Sequence, residues 1–400
     1  MRYLLFITLV VVCFSCSKQK SATYSFKTYH IEEALDMKSE TLWLDSICDS
    51  ITIIPLETSD EILMNGFGFY YLYNNLLFIV HSGYSNKDRL SVFDLAGNYL
   101  WDIGRRGRGP GEYISINQPN RVFFNDNKLY LYDWSTYSIL CYTLDGKFIK
   151  KIMLPNNHIF RQFTFINKDV FAGFVGVGLN NSRVLFMNEA GELIDSVLHY
   201  KEFEKKIYSQ AEFEGSFFTY NGNKYLKEAR YSDTVFRITK DMKLYPEYCI
   251  SLGKYAYNYE DLIGNSEIIR LIKFVNVKFE NDQFIAATGF SLKDLVDDPV
   301  KESGCYIFID KASSSAKKVR FYYSEETCRH FLKEKTYLNT SNFSNSPGMY
   351  FEPPEPKLLN DGSPIFRINN VSEDNTIWIG AEKALNIDDN PVIVLVHLKK

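Results

Sequence analysis

Arg105, Arg106 and Arg108 put three guanidinium groups within four residues. Guanidinium forks match carboxylate and phosphate geometry, so such a cluster attracts anions. It sits in the run Gly104-Arg105-Arg106-Gly107-Arg108-Gly109-Pro110-Gly111-Glu112-Tyr113, whose glycines invite comparison with a phosphate-binding loop. The comparison fails. No Gly-Lys-Ser/Thr follows, and Pro110 between Gly109 and Gly111 argues against a helix N-terminus, whose dipole would hold a pyrophosphate. A second reading is structural: the glycines make a tight crossing between two units, and Glu112 pairs with a nearby arginine. For the arginines, an anion-binding patch and a solvated or internally paired one both stay open.

Other reactive residue types show no constellation. The six histidines, His30, His81, His158, His199, His330 and His397, have neither HxH nor HExxH spacing. No GxSxG elbow or SxxK run marks a serine nucleophile. No two carboxylates are placed by spacing across a glycosidase-like gap. Asp297-Asp298 and Asp388-Asp389 lack the loop spacing of a calcium site. No catalytic residue, metal or cofactor is therefore assigned. The formal net charge of -4 gives no reason to expect nucleic acid. Beyond Cys13 and Cys16, the cysteines Cys48, Cys141, Cys249, Cys305 and Cys328 are widely spaced, consistent with one disulfide or with small buried hydrophobes.

The N-terminus is a targeting segment. Arg2 supplies the positive region, and Leu4 to Val12 an apolar run too short to span a bilayer in the usual way. Phe14-Ser15-Cys16 resembles a bacterial lipoprotein signal, with cleavage before Cys16 and lipid on its sulfur; Cys13 and Phe14 depart from the usual pattern, and a plain secretory signal is the alternative. Residues 1–15 are thus expected to be signal peptide and residues 16–49 a tether, with a short helical stretch near Ile31 to Lys38. Ser17-Lys18-Gln19-Lys20 carries no acid, unlike the lipoproteins that some bacteria display at the surface, so the expected anchor faces the periplasm.

From Ser50 on, strand follows strand. Hydrophobic residues are 46 % of the chain, and 28 Tyr and 31 Phe suit strands. Asn74-Asn75, Asp126-Asn127, Asn167 to Asp169, Asn221 to Asn223, Asn281-Asp282 and Asp374-Asn375 each separate two aromatic or β-branched runs, as tight hairpin turns do. Ala96-Gly97, Asp145-Gly146, Ala190-Gly191, Lys240-Asp241 and Ala312-Ser313 interleave as a second series. Two hairpins make a four-stranded unit, and such units recur at roughly 40–50 residues, the period of a β-propeller blade. The inner hairpins number six. The last unit lacks its outermost strand, whereas Ser50 to Leu56 is a strand without a unit. The expected fold is all-β: a six-bladed β-propeller over residues 50–400, with the N-terminal strand closing the last blade. Two separate β-sandwiches would explain the hairpins but not this complementarity.

Phe93-Asp94, Gly97, Ile103-Gly104, Gly107 and Gly109-Pro110-Gly111-Glu112-Tyr113 resemble the six-bladed β-propeller lipoproteins abundant in some gut-dwelling bacteria, and more distantly the NHL-like and TolB-like propellers. Ile54-Pro55-Leu56-Glu57-Thr58 and Tyr231-Ser232-Asp233-Thr234-Val235-Phe236 share the likeness, which covers most of the chain from Ser50. That group is mostly uncharacterised, so the resemblance implies fold and export to the cell envelope, including the outer membrane, better than activity.

Topology adds a surface. With strands a to d numbered from the axis outward, the b–c and d–a connections leave on one face. That face takes the arginine run, two long stretches (residues 254–270 and 323–364) and the longer b–c loops. Binding loops on a rigid scaffold are expected there. Candidate ligand-binding residues are Arg105, Arg106, Arg108, Tyr84, Trp134, Tyr350 and Phe351, because aromatics and arginines anchor interfaces. The expected function is binding of a glycan, a peptide or an envelope protein. A hydrolase or lyase acting on glycan or peptide, with groups drawn from separate blades, is the alternative, and a structural envelope subunit a third.

Overall fold

The computed structural model describes residues 27–64, 68–82, 88–155, 160–175, 182–198, 215–228, 232–256, 273–290, 305–324, 365–366, 370–372, 376–382 and 389–399. They form six antiparallel sheets around an axis, a six-bladed β-propeller. Blade one is Phe69–Tyr73, Leu76–Ser82, Asp88–Phe93 and Tyr99–Asp102; blade two is Val122–Asn125, Lys128–Asp133, Ser138–Thr143 and Phe148–Met153. Blade three is Phe160–Phe165, Val170–Val175, Ser182–Asn188 and Leu193–Leu198; blade four is Gly215–Tyr220, Asn223–Glu228, Thr234–Ile238 and Leu244–Ser251. Blade five is Phe274–Glu280, Phe284–Phe290, Cys305–Asp310 and Ala316–Tyr322. Blade six takes strands a to c from Asn370–Val371, Ile377–Glu382 and Val392–Leu398.

Both turn series form as their residues require, apart from Asp374-Asn375, which lies outside the described residues. Asn74 and Asn75 (φ 48° and 58°) and Asp126 and Asn127 (φ 48° and 55°) close a–b hairpins with left-handed residue pairs. Such turns match the twist of paired strands. The c–d turns end on Gly97, Gly146 and Gly191 (φ 88°, 86° and 83°), and a bulge follows each in the register. In blades four and five Met242 (φ 62°) and Ser314 (φ 60°) take that left-handed place without glycine.

The ring closes through the N-terminal segment. A strand at Cys48–Pro55 pairs antiparallel with Val392–Leu398, from Val392 opposite Pro55 to Leu398 opposite Cys48, and is strand d of blade six. A repeated contact shows the equivalence. A Cβ at Gly146 would meet the Asp102 carbonyl oxygen at 3.1 Å, and one at Gly191 the Met153 oxygen at 2.2 Å. Each of those oxygens ends strand d of the preceding blade. Gly97 stands against the Pro55 oxygen at 2.0 Å in the same way.

The tether expected over residues 16–49 is corrected from Lys27 on. Three elements, β1 (Lys27–His30), α1 (Glu32–Asp36) and β2 (Glu40–Trp43), strap blades four and five. Strand β1 adds a parallel fifth strand outside Leu244–Ser251, and β2 does the same outside Ala316–Tyr322. Tyr29, Ile31, Ala34, Leu35 and Leu44 are buried, which is why a stretch polar in composition is held. Ile365–Phe366 pairs with Tyr322 and Phe321 at the outer strand of blade five.

Aromatics fill the spaces between blades. Trp378 is fully buried between blades five and six against Phe279, Phe284 and Phe321, with ring centroids 5.4, 6.1 and 4.8 Å away. Side chains on the innermost strands tie neighbouring blades. Gln162 of blade three accepts from the Phe217 amide of blade four (2.7 Å) and donates to its carbonyl (3.3 Å), and Asn370 of blade six donates to the Tyr70 carbonyl of blade one (2.6 Å). Cys48, Cys141, Cys249 and Cys305 are free thiols.

Candidate functional site at the inner strand ends

The glycine-arginine run folds into a small clasp. Arg105 and Arg106 bridge in parallel to Glu112 and Tyr113. Glu112 Oε1 accepts from Arg105 Nε at 2.6 Å, and Oε2 accepts the Gly109 amide at 2.7 Å. Those two bonds, the amide first, hold the carboxyl below its ordinary pKa. Tyr113 is buried and its hydroxyl donates to the Asp88 carbonyl (3.3 Å). Tyr142 donates to the Gly111 carbonyl (3.0 Å), and a Cβ on Gly111 would meet Phe148 at 2.8 Å. Tyr142 and Phe148 belong to strands c and d, so the clasp sits at the outer half of blade two rather than at the axis.

The clasp leaves Arg106 and Arg108 exposed, without an ion pair to any described residue. Arg105 is 82 % exposed despite its bond to Glu112. Trp134 opens the b–c turn of blade two, 42 % exposed and outside the aromatic packing between blades. No hydrogen bond, ion pair or ring contact among the described residues joins it to the arginines. Tyr84, Tyr350, Phe351 and Cys16 lie outside the described residues.

The structure adds cations that the sequence reading did not single out, on or just before the innermost strands. In blade three the register shifts between Phe160 and Gln162, leaving Arg161 as the extra residue of a bulge. In blade five it shifts between Val277 and Phe279, leaving Lys278 as the extra residue, nearer the a–b turn of its strand. Bulges re-aim side chains and recur beside functional sites. Lys278 keeps partial solvent access, and burial lowers its pKa, with no carboxylate among the described residues opposing. Arg121 precedes strand a of blade two and is 7 % exposed. Its Cζ stands 4.8 Å over the Tyr132 ring, and Nη2 donates to Gln118 Oε1.

Two further buried polar groupings have structural explanations. Between blades three and four, Arg183 forks onto Glu228 through Nε (2.8 Å) and Nη2 (2.5 Å), with its guanidinium 4.3 Å over the Phe236 ring. Beside it the fully buried Lys227 donates to the carbonyls of Glu228 (2.5 Å) and Ser232 (2.7 Å), and burial lowers its pKa to about 8 against the pull of Asp233 and Glu228. In blade one, Ser91 Oγ donates to Asp102 Oδ1 (2.7 Å) and lies 2.9 Å from His81 Nε2, and Arg89 forks onto Asp102 Oδ2. A hydrolase triad needs the imidazole between hydroxyl and carboxylate. Here the hydroxyl is in the middle, and His81 and Ser91 are fully buried, so the line ties strands b, c and d together. No cluster of three metal-ligating side chains occurs among the described residues.

Fold and site define a six-bladed β-propeller with cations at bulges and ends of its innermost strands. A family model described as a domain of unknown function, DUF4934, matches residues 26–397, and the chain belongs to that family. No curated protein matches. Among solved structures, the "Putative exported protein (BF0058)" of Bacteroides fragilis NCTC 9343 is 16 % identical with a TM-score of 0.59, over 93 % of this chain and 99 % of that one. A member of the DUF4221 family from Bacteroides vulgatus is 11 % identical with a TM-score of 0.50, over 88 % and 97 %. At such identities the likeness is one of fold.

Proposed function

We propose that this protein is a lipid-anchored propeller of the bacterial envelope, periplasm-facing, that binds a ligand or protein partner on the b–c/d–a face. The observation that carries the reading is the pair of cations at the d–a ends of innermost strands, Arg121 and Arg161, on a scaffold whose opposite-face turns are two to five residues long. Exposed Trp134, Arg106 and Arg108 extend the surface outward, with Arg105 beside them; Tyr84, Tyr350 and Phe351 are further candidates named from the sequence alone. Aromatics and arginines contribute contact area and charge pairing at low entropic cost. The name of the Bacteroides fragilis protein describes export, which supports the envelope address. Cys16 is the residue proposed to carry the lipid.

The test is capture of glycans or envelope proteins by the chain, repeated with Trp134→Ala and with Arg106→Glu plus Arg108→Glu. Binding should weaken by roughly tenfold in each, the charge reversals losing more at low salt than at high. Undiminished capture by both would move the site off this face. Separately, Cys16→Ala should shift the protein from membrane to soluble fractions, and continued membrane association would discount the lipid.

A further inference from the structure

We propose that the cleft between blades two and three, where Arg121 meets Tyr132, is a binding pocket for an oxyanion, a carboxylate or phosphate group borne by the ligand. This rests on the reading of the b–c/d–a face above and names the chemistry one part of it takes.

Arg121 is more than nine-tenths buried. Gln118 satisfies Nη2, but Nε and Nη1 have no acceptor. The Tyr132 hydroxyl, on the ring beneath the guanidinium, is also buried, and its O–H reaches no acceptor. Two donors of one buried guanidinium, on different edges of its plane, and a hydroxyl beside it thus have nothing to receive them. Buried polar groups are satisfied in the great majority of cases, and an unpaired buried charge is costlier than an unpaired neutral group. The nearest candidate counter-ion is Asp133, whose carboxylate already accepts the Ile114 (2.9 Å) and Ser135 (3.0 Å) amides and makes no ion pair with Arg121.

The neighbourhood adds positive charge instead. Arg161, ejected by its bulge at the matching end of blade three, is close enough to disfavour the charged form of Arg121, though burial is the larger cause of a pKa lowered to about 10. Arg121 remains a cation at neutral pH. Water could fill the donors but would not neutralise the Arg121 guanidinium. An oxyanion does both: it accepts several charge-assisted hydrogen bonds and cancels charge in a poorly solvated place. The cation–π contact with Tyr132 and the bond to Gln118 fix the guanidinium in advance, so binding needs little reorganisation.

The experiment measures thermal unfolding and calorimetric binding of the full chain with inorganic phosphate, glucuronate and glucose, each against sodium chloride of equal ionic strength. Phosphate or glucuronate at about 10 mM should raise the midpoint and glucose should not, as expected for a ligand bound only by the folded state. Phosphate alone responding identifies a phosphate ligand, glucuronate alone a carboxylate, and either supports the pocket. Arg121→Gln should weaken the responding anion by at least roughly tenfold, and Tyr132→Phe, which keeps the ring, by several-fold. Lys243→Gln, on the exposed c–d turn of blade four, should leave it unchanged. No anion effect beyond chloride would overturn the pocket, as would equal anion binding in Arg121→Gln and Tyr132→Phe. If partner capture on the face persists in Arg121→Gln while no anion binds, the pocket fails and the binding face stands.

Discussion

Gly107 lacks a side chain for a spatial reason: a Cβ there would lie 2.0 Å from Glu112 Oε2. Gly111 adds a backbone reason, φ +70°, to its close approach to Phe148. Gly111→Ala should therefore cost roughly 1–3 kcal/mol in urea unfolding, from left-handed strain plus the clash, and a loss under about 0.5 kcal/mol would mean the clasp reshapes freely. Lys227 supports a different test. Its pKa is about 8 in the fold against an ordinary 10.5, so between those pH values the unfolded chain binds more protons and stability rises with pH. The rise attributable to Lys227 is on the order of 2–3 kcal/mol from pH 8 to 10.5. It should be absent from Lys227→Met, and parallel stability–pH curves for the two proteins would assign it elsewhere.

At the scale of elements, the strap is the largest departure from expectation. Strands β1 and β2 cover the outer edges of blades four and five, which would otherwise offer unpaired backbone groups to other chains. Ile31 and Leu44 are fully buried beneath it. Ile31→Ala or Leu44→Ala should each cost roughly 2–5 kcal/mol, as truncations of packed core residues do. A tether would give no change, so urea midpoints of the two variants discriminate directly. The strap was hard to read because its strands have four residues each and its apolar positions follow no sustained period. Its partner strands also lie more than 200 residues away, as the pairing of Lys27 with Tyr248 shows.

For the molecule as a whole, closure is the determining contact. Strand Cys48–Pro55 joins the start of the chain to its end, and Asn390 reinforces the join by accepting the Met64 amide (2.8 Å) and donating to the Glu57 carbonyl (2.7 Å). Deleting residues 48–55 exposes an edge of blade six and a face of blade one. The melting temperature should fall by at least about 10 °C, with a broadened transition, and an unchanged calorimetric profile would refute closure by this strand.

Hairpin positions, blade count and the closing strand were legible because they depend on local turn chemistry and on counting. Asn74-Asn75 or Asp145-Gly146 turn the chain wherever the neighbouring strands lie. The clasp was legible in part: Glu112 was expected to pair with an arginine, and its partner is Arg105. The inner-strand cations were not legible. Arg161 and Lys278 are aimed by bulges that exist only as a register between paired strands, Arg121 is buried by a neighbouring blade, and Arg183 meets Glu228 across 45 residues of chain. Turn chemistry acts through a residue's own backbone, so the sequence alone determines it. Burial and pairing of charge depend on which blades stand side by side, and only the closed ring decides that.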